Sequence, residues 1–381
     1  MKCNCVLVLL CMSMVWMSHS MEMPRAVWMT YARSEPTHVT LHWLTPHPTL
    51  SLVTTEPGKI YRSTTPTMRH HVEVPLPLNE YRLGDGQSLT EPIPFGGIPD
   101  DELRVICVAN WGYANVSDEA VAHWLVLRPH LIMTAGDNVA ALHGDDGVEG
   151  EAARTNVKPF EQWVARYPQL FRSVPVMPSL GNHDREIRPR GTSQTRKAPV
   201  YDPGAAAYCS FFALPDKKWC WRLDFSDYGA RFVSIDLNHV QDLNTLLQTC
   251  HNWQEGSESL TWYQQTMALG GLPFVVTLNN EKCSVFRDLA KGAWFRASQK
   301  GSLVIAGFGY FGEWSGKEGA WFCNTSLKGT GEVYRDPQSK LLVQGDNFVM
   351  LRYARDTRKL KLEMRRLEDG LVLFEQRIDP R

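Results

Sequence analysis

The chain has 381 residues, 43% of them hydrophobic and 21% charged, a balance that suits a folded soluble body large enough for two domains. Its 40 basic and 41 acidic residues give a net charge of -1, so no overall field draws it to nucleic acid or to an anionic membrane. Nucleic-acid binding is set aside on that ground.

At the N-terminus Lys2 precedes a short apolar run, Val6 to Met17, and Ser18-His19-Ser20 supplies small residues for cleavage after Ser20. The run is well short of the roughly 20 residues a membrane span needs, so residues 1–20 read as an export signal. No later stretch is apolar enough to span, and a secreted or extracytoplasmic (lumenal or periplasmic) protein is expected. Removal of the signal takes away Cys3, Cys5 and Cys11 and leaves Cys107, Cys209, Cys220, Cys250, Cys283 and Cys323. An oxidising compartment permits disulfides among these, Cys209 with Cys220 closing the shortest loop, but sequence does not choose the pairing. Cys107, inside an apolar run, reads as a buried thiol. Asn115-Val116-Ser117 and Asn324-Thr325-Ser326 are glycosylation sequons.

From Met21 to about Phe95 the pattern has period two. Val39, Leu41 and Trp43 fall on one face, and similar runs follow at Leu50 to Thr54, Lys59 to Arg62 and His71 to Leu76. Residues 21–95 therefore read as a small β-sandwich. Its histidines, His38, His42, His70 and His71, read as exposed strand residues. Pro94 to Asp101 is the expected linker to a second domain over residues 102–381.

There the rhythm becomes strand, loop, helix. Leu103 to Ala109 is an apolar strand ending at Asn110-Trp111-Gly112, and Ser117 can cap a helix from Asp118 to about Leu127. A strand from His130 to Ala135 ends at Gly136-Asp137-Asn138. A helix over about Pro159 to Phe171 precedes the run Val174 to Met177, which delivers Gly181-Asn182-His183-Asp184. Strands follow at Ala230 to Leu237, ending near Asp236, at Pro273 to Leu278, ending at Asn279-Asn280, and at Ser302 to Ala306, ending at Gly307-Phe308-Gly309-Tyr310. A helix covers Glu258 to Met267, and three strand-like runs fill Asn347 to Ile378. Polar residues at the C-terminal ends of successive strands sit where open α/β sheets place their ligands.

This order of motifs resembles the calcineurin-like metallophosphoesterases, most closely the purple acid phosphatase branch with its N-terminal β-sandwich. Tyr81-Arg82-Leu83-Gly84-Asp85-Gly86 looks like the end of that branch's N-terminal domain, and Gly136-Asp137-Asn138 and Gly181-Asn182-His183-Asp184 look like its second and third metal motifs. The resemblance implies an α/β (α+β) fold, a β-sandwich flanked by helices, preceded by a small all-β, fibronectin-like domain. It also implies chemistry in which two metal ions (Fe, Zn or Mn) polarise a phosphate ester and generate a hydroxide nucleophile. By the resemblance Asp137 would be the bridging carboxylate and Asn182 an amide ligand. His183 would hydrogen-bond the phosphate or protonate the leaving group, with Asp184 beside it.

Other positions depart from the pattern. Asn110 stands where the first motif has aspartate, and Ala140 where the purple branch has tyrosine. Asn279-Asn280-Glu281 replaces the next histidine, and Phe308 and Tyr310 occupy the two closing histidine positions. Asn110 and Asn279 are weak replacements, and every imidazole ligand is gone. The expectation is no metal, or one weakly bound divalent ion. An oxygen-rich calcium or magnesium site built from Asp137, Asn110, Asn182 and the loop with His143, Asp145 and Asp146 is not favoured, nor is His239 as a donor. Arg185 or Lys282 could place a cation near Asp137. Three functions are consistent with these residues: a silent phosphatase fold binding an unknown protein or small ligand, a phosphomonoesterase or phosphodiesterase with a rearranged or mononuclear site, and a structural cell-envelope or matrix protein. Trp219, Trp221, Trp294, Trp314 and Trp321 could form a sugar platform but read as packing.

Overall fold

The computed structural model describes residues 24–378 apart from 25, 57, 97–100, 145–146, 192–194, 196, 217–218, 238–240, 243–244, 247–250, 270–273, 278–292, 299–302, 318–319 and 330–337. The export segment, Asp145, Asp146, His239, Asn279, Asn280, Glu281 and Lys282 lie outside the described residues.

The first strands are β1 (Val27–Thr30), β2 (His38–Thr49), β3 (Leu52–Thr55), β4 (Lys59–Arg62), β5 (Thr67–Pro75), β6 (Glu80–Gly84) and β7 (Ile93–Pro94). They form a three-stranded sheet, β1-β2-β5, and a four-stranded sheet, β4-β3-β6-β7. Val39, Leu41 and Trp43 of β2 are fully buried with Val53, Val74 and Leu83, as the period-two pattern requires.

The opposite face of β2 departs from expectation. Thr40 and His42 are buried too, and so is His70 on β5. His42 lies across from Trp28 in the β1–β2 register, with ring centroids 4.9 Å apart. The other face of Trp28 stacks at 4.4 Å on Phe211, which belongs to the second half of the chain. That half covers the face that alternation alone assigns to water. His70 lies across from Trp43 at 4.6 Å, and its ring nitrogens meet Thr45 Oγ1 and Ser51 Oγ, each at 2.9 Å. Burial lowers the pKa of His42 to about 3 and that of His70 to about 4, so both are core imidazoles held neutral. Of these four histidines His71 is exposed and His38 half-buried.

The second half contains, in order, β8 (Glu102–Val108), α1 (Asp118–Val126), β9 (Leu131–Thr134), α2 (Lys158–Arg166), α3 (Pro168–Phe171), β10 (Val176–Pro178), α4 (Ala206–Phe211), β11 (Trp221–Phe225) and β12 (Ala230–Ser234). There follow β13 (Gln241–Asp242), β14 (Thr245–Leu246), α5 (Glu258–Ala268), β15 (Phe274–Thr277), α6 (Ala293–Ser298), β16 (Leu303–Ala306), β17 (Gly312–Lys317), β18 (Ala320–Asn324), β19 (Ser339–Val343), β20 (Asn347–Ala354), β21 (Leu360–Arg366) and β22 (Val372–Ile378). The single helix expected from Pro159 to Phe171 is broken at Tyr167. Pro168 lacks an N–H and excludes the residue before it from the helical region, and Tyr167 accordingly has φ -124° and ψ 55°. α1 starts as the sequence indicates, with Ser117 Oγ accepting from Ala120 N–H at 3.2 Å.

Two sheets result: a six-stranded one, β10-β9-β8-β20-β21-β22, and a seven-stranded one, β11-β12-β15-β16-β18-β17-β19. β8, β9 and β10 run parallel in the first, and β12, β15 and β16 run parallel in the second. The sheets meet near the C-terminal ends of these strands. Ser179 Oγ lies 2.7 Å from Ser234 Oγ and 2.9 Å from Thr277 Oγ1, and Leu327 N–H donates to Ala109 C=O at 3.0 Å. A Cβ on Gly307 would fall 2.0 Å from Ala109 Cβ, so only glycine permits this approach.

Candidate active site

The β9 and β10 strand ends are locked together through Asp184. This fully buried carboxylate accepts from Asn138 N–H and Nδ2–H, each at 2.8 Å, from Val139 N–H at 3.1 Å and from Gly181 N–H at 2.7 Å. Burial, with the nearby charge of Asp137, pushes its pKa up to about 7 against the pull of these donors. With N–H donors from the scaffold on both of its oxygens, Asp184 braces the turn. Gly181 backs Asp137 so closely that a Cβ would sit 2.1 Å from the Asp137 nitrogen. Asp137 itself takes a left-handed conformation, φ 56°, that turns it out of the strand end.

His183 sits in a one-turn helix, His183–Arg185. Its backbone N–H donates to Asp137 Oδ1 at 3.1 Å, and its Nδ1 lies 3.0 Å from Glu186 Oε2 and 3.1 Å from Ala140 C=O. Tyr113, at the end of the β8 loop, places its hydroxyl 2.5 Å from Nδ1 and 3.1 Å from Nε2, with its ring edge-on to the imidazole. Burial alone would lower the His183 pKa, but Asp137 and Glu186 outweigh it and raise it. Glu186, buried, is held below the usual carboxylate range: burial opposes this, but Arg190 and His183 prevail, Arg190 donating through Nε at 2.7 Å and Nη2 at 2.6 Å. Tyr113, Glu186 and Arg190 border a groove of about 820 Å³ that also includes His143, Trp163 and Arg166.

On the opposite side of the site, Asn110 ends β8 in a left-handed conformation, φ 57°. Its Nδ2 donates to Gly307 C=O and, at 2.9 Å, to Ser326 Oγ. The Asn110 amide is thus used to join the two sheets. Asn182 differs: it is buried, and its Oδ1 has no hydrogen-bond partner among the described residues. Phe308 is 39% exposed, and Tyr310 meets Tyr113 edge-on at 5.8 Å. The Arg185 guanidinium, fully buried, lies 3.8 Å from Asp236 at the end of β12. The His183 backbone N–H donates to Asp137, whose charge raises the pKa of the His183 imidazole. Among the tryptophans, Trp221, Trp294 and Trp314 are buried and Trp219 and Trp321 half-buried, with Trp221 and Trp294 donating to backbone carbonyls, as packing requires. Cys107 is buried, and desolvation holds its thiol well above its ordinary pKa.

Sequence reasoning did not single out Tyr113, Glu186, Arg190 or Ser326. The spacing of His183, Glu186 and Arg190 by three and four residues was the available signal for part of this network. Tyr113 and Ser326 reach the site from other loops, and no local pattern marks them.

The family model for calcineurin-like phosphoesterases matches residues 106–307, and the chain belongs to that family. No curated protein matches the sequence. The fold is similar to that of the purple acid phosphatase isolated from yellow lupin (Lupinus luteus) seeds, at 13% identity and a TM-score of 0.67, covering 93% of this chain and 74% of that one. It is also similar to PhoD, at 14% identity and a TM-score of 0.64, covering 93% of this chain and 88% of that one.

Among the described residues the donors at this edge are few for a pair of metal ions. Asn182 Oδ1 is an open acceptor suited to a cation, and Asp137 supplies a carboxylate. Against these, the Asn110 amide is committed to Gly307 and Ser326, and Phe308 has no donor. Among the described residues no group of three or more His, Cys, Asp or Glu side chains is arranged to hold a metal ion.

Proposed function

We propose that this is an exported, purple acid phosphatase-like protein whose dinuclear centre is degenerate and which acts by binding a protein or small ligand. The observation that carries this reading is Asn110, whose amide ties β8 to the Gly307 turn and to Ser326 in place of a metal-binding carboxylate. His183 supports it: its Nδ1 is occupied by Glu186, Ala140 and Tyr113. General acid assistance from His183 alone is worth about 10²- to 10⁴-fold, far short of enzymatic phosphate-ester hydrolysis. Export belongs to the same reading, and Cys107, a buried thiol, takes no part in disulfide formation there.

A second reading rests on the unpartnered Asn182 Oδ1. In it Asp137 and Asn182 hold a single hard cation and His183 protonates a leaving alcohol, with Asp184 keeping the turn in place. Elemental mass spectrometry on protein dialysed free of metal, then incubated with iron, zinc, manganese or calcium, separates the two. The binding reading expects far less than one equivalent throughout, and no p-nitrophenyl phosphate turnover above that of Asp137→Ala. Two firmly held transition-metal equivalents would overturn it, while one equivalent of calcium with Asp137-dependent turnover would establish the second reading.

A further inference from the structure

The structure separates the two sequons. Asn115 lies in the extended connection between the one-turn helix Trp111–Tyr113 and α1. Its side chain is exposed and makes no hydrogen bond among the described residues. The flanking residues hold the segment in place, since Val116 is fully buried and Ser117 caps α1. The sequon is therefore fixed at the surface without using the asparagine amide. Asn115 also stands at the rim of a cavity of about 490 Å³ lined by Ser117, Asp346, Arg366 and Glu368, side chains able to hydrogen-bond sugar hydroxyls.

Asn324 is its opposite. It ends β18 between two other strands, opposite Ala306 of β16 and Glu313 of β17, and is 4% exposed. Its Nδ2 donates to Phe311 C=O at 2.7 Å. Thr325 and Ser326 are fully buried, Thr325 donating to Asn347 Oδ1 at 3.0 Å and Ser326 accepting from Asn110 at 2.9 Å. A sugar on Asn324 would require that nitrogen and would open the end of the sheet that positions Asn110.

We propose that Asn115 is an N-glycan attachment site and that Asn324 remains unmodified. The donor is a lipid-diphosphate-linked oligosaccharide. Asn115 Nδ2 forms a bond to the anomeric carbon, and the bond from that carbon to the diphosphate oxygen breaks. The lipid diphosphate leaves with the electron pair, and the amide proton passes to the transferase. Any chain glycosylated at Asn324 fails to close the seven-stranded sheet and is lost before secretion.

The inference rests on the export reading, so the test has two arms. In the first, residues 21–381 are secreted from a eukaryotic cell behind a heterologous leader, then treated with peptide N-glycosidase and mapped by mass spectrometry. The expected result is conversion of Asn115 to aspartate with Asn324 unchanged, and loss of the glycan mobility shift in Asn115→Gln but not in Asn324→Gln. An unmodified Asn115 in the secreted protein, or a glycan on Asn324 in folded protein, would overturn the proposal. Because Asn324→Gln also disturbs the Phe311 contact, the mapped wild-type peptides decide if that variant fails to fold. In the second arm the full chain carries its own N-terminus. Retention in the cytosol there would overturn the export reading and, with it, the physiological use of Asn115, while the first arm still reports whether the site accepts a glycan.

Discussion

In the N-terminal sheets His42 and His70 lie flat against indole rings with hydroxyl groups as their polar partners, and burial holds both neutral. At the parallel-strand edge His183 is also buried, yet Asp137 and Glu186 hold it above its ordinary pKa. The same side chain is thus pushed toward the neutral form in one region and toward the charged form in the other. Depth does not decide this; the charge of the neighbours does. Aromatic faces and hydroxyls offer little to an imidazolium once the carboxylates are absent, whereas two carboxylates favour it even without water.

The largest test of this contrast is pH. A histidine whose folded pKa is depressed contributes full stability above the unfolded value of about 6.5, and that contribution falls as pH drops toward the folded values of about 3 and 4. At about pH 5 each of His42 and His70 should cost about 2 kcal/mol relative to pH 7.5, or about 4 kcal/mol together. Asp184 and His183, whose folded pKa values are raised, contribute in the opposite sense, so the test is the difference: between about pH 7.5 and about pH 5 His42→Phe, which keeps a ring on Trp28, should lose about 2 kcal/mol less than wild type in urea unfolding. Equal pH slopes for the two proteins would break the comparison.

The other side is probed by Arg190→Met. It leaves buried Glu186 facing His183 without its two-point guanidinium partner, and a loss of about 3 kcal/mol is expected by chemical denaturation. Adding Glu186→Gln should recover part of that loss. If Arg190→Met costs under about 1 kcal/mol, His183 alone satisfies Glu186. The smallest expected effect is Ser51→Ala, which removes the partner of His70 Nδ1 and should lower the urea midpoint by the equivalent of about 1–2 kcal/mol. A neutral result there would mean that water replaces the hydroxyl.

Much of the fold was legible locally. The apolar runs before Asn110, Asp137, Asn182 and Phe308 became β8, β9, β10 and β16, and the Ser117 cap formed as the sequence indicates. The helix expected through Phe171 fails at Pro168 for a reason also present in the sequence, the restriction a proline places on the residue before it. The histidines of β2 and β5 were not legible. Alternation tells which residues share a face but not what covers it, and Phe211, far along the chain, covers the face carrying His42 by way of Trp28.

The sequence by itself determined the strand-end turns and which residue types stand at the positions that the resemblance assigns to metal ligands. Those are properties of local periodicity and of side-chain chemistry. Only the tertiary structure decided what the remaining groups do: that the Asn110 amide closes the gap between the two sheets, that Asp184 braces a turn, that His183 is enclosed by Tyr113 and Glu186, and that one sequon is exposed while the other is sealed in a strand. Each of these depends on contacts between segments distant in sequence, where hydrogen-bond satisfaction and burial are fixed by packing and leave no local pattern to read.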